Sequence, residues 1–517
     1  MSVPERVSPP PEARAAVPPG GDVAGPATDH PVVAAGPSRK LRTGLIVAPV
    51  LLAVAVTATL VARPGPVDGW LAGEPTTAPT VASSPEPTPT PVLAAANADA
   101  GVPPSSAAVT AALAPLVGGP ALGAQVRISV RDAATGEALY ERGPDVRTTP
   151  ASTTKLVTAA TVLAARGPAY RLTTRVVAGA QPGEVVLIGG GDPTLAVNGK
   201  AQFPGAARLD RLAGQVKKAL GGAAPTRVLI DTSLFTGPET GPGWTAGVIS
   251  PEGQVARIQS LMTNAGRIRP VHNEVGGDPR YRDPALAAGR AFAAQLGVSG
   301  PVRRATAPAT VADPSAADPS AAPGAPAPGT ELGRVQSPPL VHLVDWMLEQ
   351  SDNVIAEALG RQVALAAGQP ASFQAAAAAM LGKLAELGLP VAEAQLADAS
   401  GLSRRNALTP SLLTDLLVLA AGGRQPVLSR VFSGLPVAGW SGTLRTRFAT
   451  PAPNQVGRGI VRAKTGSLNG VNAISGALVT RDGRLLIFAI LADRTGGTPA
   501  ARQALDRIVA RLAACGC

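Results

Sequence analysis

Residues 460–491 read IVRAKTGSLNGVNAISGALVTRDGRLLIFAIL, three apolar runs broken by Gly466 and by the Asp482-Gly483 pair. An Asp-Gly pair between two such runs is a strong hairpin signal. Ile460–Lys464, Gly470–Leu478 and Arg484–Leu491 are therefore read as one group of strands. Far upstream, Gln125–Asp132 alternates apolar and polar residues as a half-buried strand does, and a return strand follows from Gly136 to Tyr140. Val341–Gln350 and Val354–Ala366 have helical spacing, as does the amphipathic stretch Thr498–Ala513. Strands from both ends with helices between them predict an α/β fold of the α+β kind. One antiparallel sheet is closed by the N- and C-terminal segments, with helices packed on it.

Lys464-Thr465-Gly466-Ser467, at the edge of that group, is the last of three short strings; Ser152-Thr153-Thr154-Lys155 and Ser351-Asp352-Asn353 precede it. The serine-lysine and Ser-x-Asn strings are weak alone, but the chance of all three in this order is on the order of 0.002 at this length and composition. Ser467-Leu468-Asn469 is a second Ser-x-Asn, but it would lie along the same strand as Lys464, so Ser351 is the better candidate.

A serine hydroxyl is a poor nucleophile without an adjacent base. Ser152 follows Pro150-Ala151 and precedes a helix-compatible run, so it should sit at a helix N-terminus with Lys155 one turn on. To act as base, Lys155 must be neutral, and burial with Lys464 nearby would push it that way. Ser351 and Asn353 fall in the turn between two helices, where Ser351 can pass a proton to a leaving amine and Asn353 can hold a substrate amide. Lys464 would offer positive charge to a substrate carboxylate, Thr465 a hydroxyl, and Gly466 room for the substrate backbone. The backbone N–H groups of Ser152 and Ser467 would form an oxyanion hole. The plain alternatives, a capping serine beside a surface lysine and an ordinary interhelical turn, suit each string alone but not the three together.

The 517-residue chain is long enough for two or three domains, and 45% apolar residues suffice for a sizeable core. With aromatics at 3%, that core must be packed mainly from small aliphatic side chains. The net charge of +11 suits an anionic partner, yet no dense basic run with interleaved aromatics occurs, so nucleic acid is not expected. Cys515 and Cys517 are the only cysteines, which suits an oxidising exterior and a tail with a local or intermolecular disulfide. His30, His272 and His342 lack ligand spacing, so neither a metal nor another cofactor is expected.

Residues 1–43 are Pro-, Ala- and Gly-rich and are read as a disordered cytoplasmic tail. Gly44–Ala62 is uncharged and about 28 Å long as a helix, close to the roughly 30 Å of a bilayer core. Arg39, Lys40 and Arg42 precede it, so the positive-inside rule makes it a single-pass signal anchor at the cell membrane with the remainder extracytoplasmic. A cleaved signal peptide ending near Val56-Thr57-Ala58 is the rival reading. Residues 63–106 form a Pro/Thr-rich linker. Residues 107–175 and 333–517 are assigned to the main domain, and 176–332 to an inserted region carrying a low-complexity loop at 305–329.

On the three strings, the chain resembles the penicillin-recognising serine hydrolases. Gly189-Gly190-Gly191-Asp192-Pro193-Thr194-Leu195, Gly241-Pro242-Gly243-Trp244, Ser337-Pro338-Pro339-Leu340 and Asp398-Ala399-Ser400-Gly401-Leu402-Ser403-Arg404 narrow the resemblance. They point to the low-molecular-mass class C penicillin-binding proteins, the D-alanyl-D-alanine carboxypeptidase/endopeptidase family. That resemblance covers about residues 107–513 and implies a penicillin-binding transpeptidase-like domain interrupted by an insertion, here somewhat compact for the family. It also implies hydrolysis of the terminal D-Ala-D-Ala bond of peptidoglycan stem peptides, or of D-amino-acid cross-links, through an acyl-serine, with β-lactams acylating Ser152. Two other readings share the motifs: a non-catalytic wall-binding or β-lactam-sensing protein, and a serine β-lactamase. A class A β-lactamase would need a Glu-x-x-x-Asn loop beyond the second motif, and none is found there. The oligomeric state is not legible, and Ser400–Arg404 fits a site-lining loop and a structural turn equally well.

Overall fold

The computed structural model describes residues 101–271, 277–309 and 326–515. The expected tail, membrane anchor and most of the linker lie outside the described residues, as do His272, Cys517 and the centre of the low-complexity loop. No helix among the described residues is long and apolar enough to cross a membrane.

Helix α1 (Ser106–Val117) starts at Ser105, whose hydroxyl accepts from Ala108 N at 3.2 Å, and it buries Val109, Leu113 and Val117 on one stripe. Strands β1 (Gln125–Asp132) and β2 (Ala138–Arg142) form the first hairpin, with Asp132 Oδ1 accepting from Ala134 N and Thr135 N in the turn.

The chain returns to this sheet more than three hundred residues later, with β8 (Arg462–Leu468), β9 (Val471–Val479) and β10 (Leu485–Asp493). The order is β2-β1-β10-β9-β8, antiparallel throughout, with Gln125 opposite Asp493 and Asp132 opposite Leu486. Buried Arg484 donates to both carboxylate oxygens of Asp132, at 2.6 and 2.8 Å, tying the β9–β10 turn to the end of β1. This is the antiparallel sheet expected from the periodicity, closed by both termini.

Its two faces are both covered, which explains why β9 and β10 are nearly continuous apolar runs. On one side Ile128, Val130, Phe488 and Ile490 pack with α1 and the C-terminal helix α9 (Thr498–Ala513). On the other, Ile487, Ala489 and Leu491 meet a helical layer. That layer comprises α2 (Thr154–Arg166), α5 (Leu340–Glu349), α6 (Asn353–Ala366), α7 (Phe373–Glu386) and α8 (Pro410–Ala421). Cys515 is buried at the end of α9 and disulfide-bonded.

A second sheet was not foreseen. It orders β6 (Arg303–Arg304), β5 (Arg227–Asp231), β4 (Glu184–Ile188), β3 (Thr173–Ala178) and β7 (Glu331–Gln336). β3 is antiparallel to β4 and β7, whereas β5 runs parallel to β4 and β6. Helices α3 (Leu209–Ala219) and α4 (Pro284–Leu296) pack on it through Leu212, Val216, Ala288 and Phe292. Strands β3 and β7 carry the chain out and back, and they straddle the boundaries expected at 175/176 and 332/333.

Candidate active site

Ser152 lies in a tight 3₁₀ turn, Ala151–Thr153, that feeds directly into α2. Ala151 has φ +47°, a left-handed conformation held by its surroundings. A Cβ on Gly401 would lie 1.9 Å from Ala151 O, and one on Gly466 would lie 2.7 Å from Pro150 O and 3.1 Å from Ser152 N. The serine turn is thus seated between the Ser400 loop and edge strand β8, and glycine is required at both contacts.

Lys155 is fully buried one turn along. Its Nζ donates to Ser152 Oγ at 3.0 Å, Asn353 Oδ1 at 2.6 Å and Ser400 O at 2.6 Å. Three acceptors match the three donors of an ammonium, and a neutral amine can release one of them.

Ser351 sits at φ +58° between α5 and α6, and Asp352 caps α6 by accepting from Val354 N and Ile355 N. Ser351 Oγ accepts from Lys464 Nζ at 2.9 Å, and the same ammonium group reaches Thr465 O at 2.8 Å. Asn353 Nδ2 donates to Gln254 O at 2.9 Å and keeps one N–H for another acceptor. Thr465 Oγ1 shares a hydrogen with Thr443 Oγ1 at 2.8 Å, and Ser467 Oγ donates to Asn472 Oδ1 at 3.3 Å.

A cleft of about 580 Å³ exposes Ser152, Ser351, Asn353, Thr465 and Ser467 together. Lys155 and Lys464 lie fully buried beneath it, and Gly466 backs the serine turn. Residues from three distant parts of the chain therefore converge on one cleft. The sequence profile of the D-Ala-D-Ala carboxypeptidase 3 (S13) family matches residues 109–295 and 280–515. The chain belongs to this family.

Carboxypeptidase Rv3627c of Mycobacterium tuberculosis is 41% identical over 426 residues, covering 81% of this chain and 87% of that protein. Carboxypeptidase DacB of Mycolicibacterium smegmatis is 39% identical over 418 residues, covering 80% and 85%. Among solved structures, penicillin binding protein 4 of Haemophilus influenzae shares the fold with a TM-score of 0.59 at 22% identity, over 78% of this chain and 98% of that one.

In this S13-family chain, burial lowers the Lys155 pKa to about 8, against the opposing pull of Asp398, Glu357 and Asp352. Burial and the charge of Lys155 push Lys464 well below its ordinary value. Lys464 is enclosed, with its Nζ bonded to Ser351 Oγ and to the Thr465 carbonyl.

Several members of the site were not read from the sequence. Glu357 on α6 accepts from Ala399 N at 3.1 Å and Ser400 N at 2.9 Å, which aims the Ser400 carbonyl at Lys155. Burial and Asp398 raise the Glu357 pKa to about 7. Asp398 accepts from Gly401 N, Ser403 N and Trp244 Nε1, so Ser400–Arg404 is both a built turn and part of the site wall, with Leu402 facing the cleft. Buried Arg267 bridges Asp278, at 2.6 Å, and Asp352, at 2.8 Å. Burial opposes the charge on Asp352, but Arg267 and Arg280 hold it well below the usual carboxylate range. Only the Asp398 loop had a signal, its Asp-Ala-Ser-Gly string. No three His, Cys, Asp or Glu residues among those described are grouped to hold a metal ion.

Proposed function

We propose that this chain is a serine-type D-Ala-D-Ala carboxypeptidase that removes the terminal D-Ala from peptidoglycan stem peptides, and that the same chemistry extends to D-amino-acid cross-links as DD-endopeptidase activity. The observation that carries this reading is the 3.0 Å approach of buried Lys155 Nζ to Ser152 Oγ at the floor of an open cleft.

Neutral Lys155 takes the Ser152 proton as Oγ attacks the carbonyl carbon of the penultimate D-Ala. The backbone N–H groups of Ser152 and Ser467 receive the developing oxyanion. Ser351, held by Lys464, hands on to the departing D-Ala nitrogen the proton that Lys155 took, as the peptide bond breaks, leaving an ester on Ser152 and Lys155 neutral again. Water then attacks that ester with Lys155 again as base, releasing the shortened peptide and restoring the hydroxyl. Asn353 offers its second Nδ2–H to the substrate amide. Thr465 and Ser467 line the leaving side, and Gly466 lets the substrate backbone approach β8. A β-lactam presents its strained amide to the same oxygen and forms the same ester bond, so benzylpenicillin acylates Ser152. Gly44–Ala62 anchors the chain at the cell membrane in a single pass, with the catalytic unit on the outer side.

The test is D-Ala release from a peptide ending in D-Ala-D-Ala. The unaltered protein should release it and Ser152→Ala should not; release by the variant would remove Ser152 as nucleophile.

A further inference from the structure

A carboxypeptidase must recognise the free carboxylate at the end of its substrate, and the reading proposed above is the basis for asking which cation does so. Lys464 is fully enclosed, with its ammonium bonded to Ser351 Oγ and Thr465 O. Arg447 lines the same cleft, but its guanidinium is clamped on Asp506 by contacts of 3.1, 2.9 and 2.7 Å, and Asp506 also accepts from Phe448 N.

Arg502 differs from both. It stands near the N-terminal end of α9, is exposed to the cleft, and donates through one Nη to Ser467 Oγ at 3.3 Å. Among the described residues no carboxylate forms an ion pair with it. Its backbone carbonyl accepts from Arg447, which stacks a second cation beside it. Partial burial and the Arg447 charge lower its pKa against the weaker pull of Asp506, an environment that an arriving anion relieves. A cation near the positive end of a helix gains nothing from the helix dipole, so helix stability does not account for its place.

We infer that Arg502 binds the C-terminal carboxylate of the substrate together with the hydroxyls of Thr465 and Ser467, and so sets the preference for a free chain end over an internal cross-link. The guanidinium presents paired N–H donors that match a carboxylate, and it leaves Lys464 free for Ser351.

The full-length protein is assayed on two short peptides ending in D-Ala-D-Ala, one with a free carboxylate and one with a C-terminal amide. Arg502→Ala should lower kcat/KM on the carboxylate peptide by roughly 10- to 100-fold, the range expected for a lost charge-assisted hydrogen bond. The loss should fall mainly on KM, with the amide peptide unaffected and Arg502→Lys recovering part of it. An unchanged melting temperature would show that the fold persists. Equal loss on both peptides, or loss on neither, would overturn the inference. Were the unaltered protein itself to release no D-Ala and take no penicillin on Ser152, the acyl-serine reading would fail first and this inference with it.

Discussion

Lys155 Nζ lies 3.0 Å from Ser152 Oγ while it also holds Asn353 Oδ1 and Ser400 O, each at 2.6 Å. The amine that must take the serine proton is therefore fixed by one side chain and one carbonyl from separate segments, and all conformational freedom is spent before substrate arrives.

Acylation should rise with pH and level off above about 8, the value to which burial lowers Lys155. The amine is a base only when deprotonated, so about a tenth of the protein is active at pH 7. The second-order rate of penicillin acylation between pH 6 and 9.5 measures this. A flat profile would mean that another group takes the proton.

Glu357→Gln separates positioning from charge. Glutamine can still accept from Ala399 N and Ser400 N, but it withdraws a negative charge that raises the Lys155 pKa. The acid limb of the acylation profile should move to lower pH. The buried Arg361 loses its 3.6 Å ion pair, so urea unfolding should register a loss of about 1–3 kcal/mol.

How much of this was legible follows from the range of each interaction. The outer sheet was readable because β1, β9 and β10 carry their pattern locally, and the three motifs because each is a short string with a fixed chemistry. The second sheet was missed because β3 and β4 are only six and five residues long and β3 pairs with β7 across most of the inserted region. Arg267 and Asp352 are 85 positions apart, so nothing in either neighbourhood announces their ion pair. Glu357 and Arg361 look like an exposed i, i+4 pair in sequence; only the burial of α6 on all sides makes them interior. The burial of Lys464 was not legible for the same reason, since burial is a property of the whole fold.

Gly466→Ala should stall acylation without unfolding the chain. The added Cβ would meet Pro150 O at 2.7 Å and Ser152 N at 3.1 Å, which pushes the serine turn off β8. A displacement of that size costs on the order of 100-fold in rate. Stopped-flow acylation and a thermal melt, run on the same sample, check both halves of this expectation.

Arg267→Met should be the most damaging of these changes to stability. It leaves Asp278 and Asp352 buried without the guanidinium they share, a loss of about 3–5 kcal/mol. Because Asp352 caps the turn that carries Ser351 and Asn353, acylation should slow in whatever fraction remains folded. Urea denaturation with parallel rate measurement distinguishes the two effects.

The most direct measurement of the central claim is intact-mass spectrometry of the full-length protein after exposure to benzylpenicillin, followed by peptide mapping. The account predicts a mass increase of one drug molecule, located on Ser152 and absent from Ser152→Ala. A folded protein that takes no drug at Ser152, or an adduct that persists in the Ser152→Ala variant, would contradict it.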